Sequence, residues 1–140
     1  MEIRAFRPED QAAVIALWQA SGLVVPQNDP AKDIERKLNV DPELFLVGTE
    51  AGTVVATVMG GYEGHRGWIN YLAVGPEMRG RGLGRAMMDA VERLIAARGC
   101  PKINLQVRST NADVIAFYTA IGYGDDRVVG MGKRLVQDAD

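Results

Sequence analysis

Apolar residues recur along this chain at two different spacings, and each change of spacing marks an element. Ile3 to Phe6 reads as a short strand. Pro8, Glu9 and Asp10 have the composition of a first helical turn, with proline at a tolerated early position and acids near the positive helix end. Val14, Leu17, Trp18 and Ser21 continue that helix on one face, and Gly22 ends it. Two prolines bracket turn-forming residues at 26–30, and Ile34 with Leu38, four apart, predicts a second helix over 31–39. The spacing then shortens. Residues 44–49 and 53–60 are rich in Val and Thr and are separated by Glu50-Ala51-Gly52, a hairpin signature. Trp68 to Val74 reads as the next strand. Leu83, Met87, Ala90, Val91, Leu94 and Ile95 then form one stripe of a helix over 83–98, which Gly99 stops and Pro101 keeps from resuming. A strand over 102–107, a helix over 112–121 capped by Asn111, and a weaker last strand over 128–136 complete the pattern. The predicted order is β-α-α-β-β-β-α-β-α-β. Antiparallel hairpins come first and a strand–helix–strand unit follows, so the expectation is an α/β fold with a mixed sheet. No repeat or long linker divides the chain, and one domain over 1–140 is expected.

Composition narrows the function classes. Of the 140 residues 47% are hydrophobic and 24% charged, as in an ordinary globular domain, and the formal net charge is −2. The total charge therefore gives no support to a nucleic-acid partner. No apolar run approaches the roughly 18 residues that a bilayer span needs, so no membrane partner is expected. The N-terminus runs straight into a strand pattern and lacks the apolar stretch of a signal peptide. Cys100 is alone, which excludes an intrachain disulfide and suits a reducing cytoplasm. With one Cys and one His, a structural metal site is not expected. A buried, inert thiol is the expectation for Cys100.

Against this background the local chemistry of Arg79-Gly80-Arg81-Gly82-Leu83-Gly84 stands out. A glycine-rich turn between a strand and a helix leaves backbone N–H groups bare at the positive end of the helix dipole, where phosphate binds. Arg79, Arg81 and Arg85 add positive charge there. The spacing does not suit a dinucleotide fold, because the glycines alternate and the following strand ends without an acid. It does not suit a P-loop either: Gly84-Arg85-Ala86 offers no hydroxyl for magnesium. A packing role for the glycines stays open at this point, as does a nucleotide-binding protein of another class.

A second segment lies downstream, from Asn111 through Phe117-Tyr118 to Gly122-Tyr123. The two segments together resemble the R/Q-x-x-G-x-G/A and N-x-x-(A)-x-x-F-Y-x-x-x-G-F/Y motifs of the GCN5-related N-acetyltransferase (GNAT) superfamily. Tyr71-Leu72-Ala73-Val74 before Pro76 resembles that family's fourth strand. The element order is similar over essentially the whole chain. Asn28-Asp29-Pro30, Asp33-Ile34-Glu35-Arg36-Lys37 and Gly132-Lys133-Arg134-Leu135 look most like its bacterial YpeA-type branch.

The resemblance implies an enzyme that uses acetyl-CoA as donor and an amine as acceptor. It implies pyrophosphate contacts from Gly80, Arg81, Gly82, Leu83, Gly84 and Arg85, with Arg79 adjacent. It implies pantetheine contacts from Leu72, Ala73 and Val74, with the Leu72 N–H also facing the thioester oxygen. Asn111 would reach the pantetheine arm, and Tyr118 would be the general acid for the leaving thiolate. As a base, Glu63 is the first candidate and His65 the second, with transfer to water as the alternative. Asn70 and Tyr71 would line the acceptor side, beside the loop over 22–33. The acceptor stays open among peptide N-terminus, lysine, polyamine and small amine. The alternative to an enzyme is a domain that binds acyl-CoA without turnover. A monomer or a homodimer is equally compatible with the sequence.

Overall fold

The computed structural model describes residues 1–138 as one mixed sheet flanked by helices on both faces. Five strands lie in chain order: β1 (Glu2–Ala5), β2 (Phe45–Glu50), β3 (Thr53–Tyr62), β4 (Gly67–Val74) and β5 (Ile103–Asn104). The first four pair antiparallel, and β4 pairs parallel with β5. The helices are α1 (Gln11–Ala20), α2 (Pro30–Leu38), α3 (Leu83–Ala96) and α4 (Ala112–Ala120). The expected α/β class with its mixed sheet is the one observed.

Local chemistry sets the helix starts. The Asp10 carboxylate takes two hydrogen bonds from the Arg4 guanidinium, at 2.7 and 2.9 Å, and one from the Arg7 N–H at 2.8 Å. It thereby ties β1 to the entry of α1 through a short 3-10 turn over Pro8–Asp10. Asp29 caps α2 by accepting from the Ala31 N–H at 2.9 Å, with Pro30 at the first helical position.

The central strands are buried on both faces, so apolar side chains alternate into two cores. Phe45, Val47 and Met59 pack with Val14, Leu17, Trp18 and Ile34 under α1 and α2. Leu44, Leu46, Ala56, Val58 and Ile69 pack with Met87, Met88, Val91 and Ile95 under α3. The predicted α3 stripe is right except at two positions. Leu94 is 42% exposed and Met88 is fully buried, because a 3.6-residue turn carries the buried face through 83, 87, 88, 91 and 95.

Two predicted strands differ from the structure. Only Ile103 and Asn104 of the expected 102–107 strand are paired. The last expected strand, 128–136, does not form. With β5 ending at Asn104 there is no continued edge for it to join, and Gly130 and Gly132 interrupt its apolar alternation. Val128, Val129, Met131 and Leu135 stay exposed. Polar contacts fasten the segment instead. Arg134 donates to the Asn28 Oδ1 at 2.8 Å, and the Asp138 carboxylate pairs with Arg36 at 2.6 Å.

Candidate active site

The cleft begins where the sheet comes apart. β3 follows β4 along its whole length, but β5 follows it only at Gly67↔Ile103 and Trp68↔Asn104. From Ile69 to Val74 the outer edge of β4 therefore has no strand partner among the described residues. A bulge bends β4 in this stretch. Thr57 pairs with Ala73 and Met59 with Asn70, so Tyr71 and Leu72 together face Val58. Tyr71 has φ 51°, in the left-handed region, which costs a non-glycine residue about 1–2 kcal/mol. Neighbours hold it there. Its ring stacks on Trp18 at 3.8 Å, its hydroxyl donates to the Asp33 Oδ2 at 2.6 Å, and its carbonyl accepts from the Thr57 hydroxyl at 2.9 Å. Burial, and then the bond to the Asp33 carboxylate, push its phenol well above the ordinary range.

β4 leads directly to the glycine-rich turn. A hollow of about 320 Å³ lies there, lined by Val74, Met78, Arg79, Gly80, Gly82, Leu83, Gly84, Arg85 and Phe117. Gly82 precedes the first residue of α3 with φ 75°, and no side chain of the described residues caps the helix. The Ala86 N–H is the first to find a helical partner, at the Gly82 carbonyl, 3.1 Å away. The N–H groups of Leu83, Gly84 and Arg85 are thus the bare donors of the first turn. A Cβ at Gly80 or Gly82 would meet nothing within 4 Å among the described residues, and both glycines line the hollow. Gly84 differs: a Cβ there would stand 3.2 Å from the Phe117 ring, so its role is contact between α3 and α4. Arg81 is paired with Glu50 at 2.8 Å. Arg79 and Arg85 form no ion pair among the described residues.

α4 brings the second motif to the same side of the sheet. Asn111 caps it, accepting from the Val114 N–H at 3.3 Å. Tyr118 packs edge-on against Phe117 and Tyr123, at 5.1 and 5.6 Å between ring centres. Its hydroxyl makes no hydrogen bond to the described residues, and burial alone pushes the phenol up to about 12. The Tyr123 hydroxyl is instead used, donating to Glu92 at 2.5 Å.

Glu63 is not brought to this cleft. It sits in the β3–β4 turn, before the start of β4, while Leu72 lies five residues into the strand, roughly 17 Å further on. Its carboxylate accepts from the backbone N–H groups of Arg66 and of His65, the latter at 2.8 Å. Those bonds hold its pKa below the ordinary carboxylate range. The residue closes a turn, and a lowered pKa makes it a poorer proton acceptor. His65 is exposed in the same turn. Cys100 is only partly buried, its Sγ 3.2 Å from the Lys102 carbonyl. Among the described residues no group of three or more His, Cys, Asp or Glu is placed to hold a metal ion, and no helix is long and apolar enough to cross a membrane.

Further residues support the cleft from beneath. Thr57 and Trp18, both fully buried, hold the bulge from below, and Phe117 and Met78 complete the walls of the hollow. A hydroxyl amid Val55, Ala56, Val58 and Met59 is the available signal, since a buried hydroxyl needs a partner.

The sheet splits beside a strand bulge, with a bare helix N-terminus at its end, and comparison with known proteins gives this arrangement a family. Residues 11–123 match the acetyltransferase (GNAT) family, to which this chain belongs. It is an acetyl-CoA-dependent N-acetyltransferase by that membership. An acetyltransferase of Sodalis glossinidius is 52% identical over 141 residues, covering 100% of this chain and 99% of the relative. One of Pectobacterium atrosepticum is 51% identical over 140 residues, again covering 100% of this chain and 99% of the relative. Among solved structures, Ard1 from Thermoplasma volcanium superposes with a TM-score of 0.76 at 32% identity, covering 86% of this chain and 80% of that one.

Proposed function

We propose that residues 1–140 form a single catalytic domain that transfers the acetyl group of acetyl-CoA to a primary amine by direct attack. The observation that carries this reading is continuity. Val74 ends the unpaired edge of β4 and also lines the hollow at the α3 N-terminus. One extended ligand can therefore place a pyrophosphate on the bare N–H groups of residues 83–85 and run its two amides along Leu72, Ala73 and Val74. The open space at Gly80 and Gly82, with Arg79 and Arg85 beside it, fits a doubly charged group. Acetyl-CoA supplies the activated thioester. In this reading the Leu72 N–H donates to the developing oxyanion.

Asn111, whose side chain already serves as a helix cap, stands at the α4 entrance to meet the arm. Tyr118 is the hydrogen-bond donor to the departing sulfur. With its phenol at about 12, it stays protonated across the working pH range. No carboxylate takes the amine proton in this reading; water does, and Glu63 keeps its turn. The acceptor is an amine approaching past Tyr71 and the loop before α2, which ends at the capping Asp29.

Thermal unfolding with and without saturating acetyl-CoA, beside CoA, NAD and ATP, tests the donor. At 100 times its dissociation constant a ligand adds about 2.7 kcal/mol, read as a raised midpoint. A rise with both CoA forms and with neither NAD nor ATP is expected. An equal rise with NAD or ATP, or none with CoA, would overturn the reading.

A further inference from the structure

β3 carries a polar side chain in the middle of its apolar run. Thr57 is 0% exposed, as are its neighbours Ala56 and Val58. Its hydroxyl is ordered from both sides. The Trp18 indole Nε1–H donates to Thr57 Oγ1 at 2.9 Å, and Oγ1 donates in turn to the Tyr71 carbonyl at 2.9 Å. An indole N–H can only donate, so the first contact uses a lone pair of the hydroxyl and leaves its proton for the carbonyl. The direction of the relay is fixed by that chemistry.

The Tyr71 carbonyl and the Leu72 N–H are two ends of one peptide unit. The unit is planar and trans, so they point in opposite directions. A carbonyl held on Thr57 therefore aims the Leu72 N–H away from Thr57, out toward the side where β4 has lost β5. At the bulge the register of β3 and β4 slips, leaving this peptide unit outside the regular pairing. The Tyr71 side chain is fastened separately, through Trp18 and Asp33, and those contacts act on the ring and its hydroxyl, not on the carbonyl.

We infer that Thr57 is a positioning residue for acetyl transfer, its Trp18-ordered hydroxyl fixing the peptide plane that presents the Leu72 N–H to the thioester oxygen. The inference rests on the reading above, in which that N–H receives the oxyanion.

Thr57→Val keeps the shape and removes the hydroxyl. Thr57→Ser keeps the hydroxyl. Turnover is read as thiol release with the best acceptor from an amine panel, normalised to CoA sites counted by calorimetric titration. Thr57→Val is expected to lower kcat about tenfold or more, with the CoA dissociation constant within about twofold of wild type. Thr57→Ser is expected to recover kcat to within about threefold of wild type. A purely structural role would reduce the number of CoA sites and leave kcat per site unchanged. Such a result, or a Thr57→Ser variant as impaired as Thr57→Val, overturns the inference. If Thr57→Val does not fold, Trp18→Phe carries the test, since it removes the donor that orients the hydroxyl. A several-fold loss of kcat per site is then expected, and no loss overturns the inference. A wild-type protein that neither binds acetyl-CoA nor releases thiol would fell the underlying reading. Wild-type turnover with unaffected variants would fell the inference alone.

Discussion

Tyr118 illustrates how a single environment limits what a residue can do. An alkyl thiol ionises near 8.5, well below a phenol that burial pushes up to about 12, so full proton transfer from Tyr118 to the leaving sulfur is uphill. In the proposed function the residue donates a hydrogen bond as charge develops on sulfur. Its raised pKa keeps this donor form intact as pH rises, while the acceptor amine becomes a nucleophile only as it loses its proton. Turnover should therefore climb between about pH 7 and 10 with no alkaline fall from Tyr118. Tyr118→Phe should lower kcat about 100-fold and leave acetyl-CoA affinity within about twofold, read by steady-state kinetics and calorimetry. Gly82 calls for a different substitution. At φ 75° a valine is strained whatever it blocks, whereas asparagine accepts the left-handed region. Gly82→Asn should fold normally and bind CoA about tenfold more weakly, about 1.4 kcal/mol, because it adds a side chain to a residue that lines the hollow. Unchanged affinity in that variant would remove the phosphate role of the turn.

Elements formed where local chemistry and burial agree, and failed where a partner was missing. α3 was legible because a buried stripe, a terminating glycine and a following proline all point the same way. The strand over 128–136 was not, because strand propensity says nothing about whether an edge is available. The two motif segments were readable as sequence. The Tyr71 bulge and its props were not, since a register slip depends on neighbours distant in the chain. The junction of β1 and α1 yields a prediction at this scale. The Arg4 bonds, and then the Arg7 N–H, lower the pKa of the buried Asp10 carboxylate below its unfolded value near 3.9. Its stabilisation is therefore complete above that value and is lost as pH falls through the folded pKa. Asp10→Asn should cost about 2 kcal/mol at pH 7, measured by urea unfolding, and the gap to wild type should narrow below about pH 4.

At the scale of the molecule, two faces of one sheet do separate work. The α1–α2 face supports the bulge through Trp18, Thr57 and Asp33, and the α3–α4 face supplies the hollow and Tyr118. The split between β4 and β5 joins them and leaves a row of backbone groups with no strand partner among the described residues. Exposed edges of this kind are also where sheets recruit other chains. In the proposed function, a pantetheine arm laid along β4 would act as the missing strand, so that a metabolite and not the polypeptide would finish the sheet. The lifetime of the protein should then follow the supply of its own donor. Limited proteolysis at a fixed protease dose should cut the ligand-free chain faster than the CoA-saturated one, making resistance to digestion a gauge of the CoA pool.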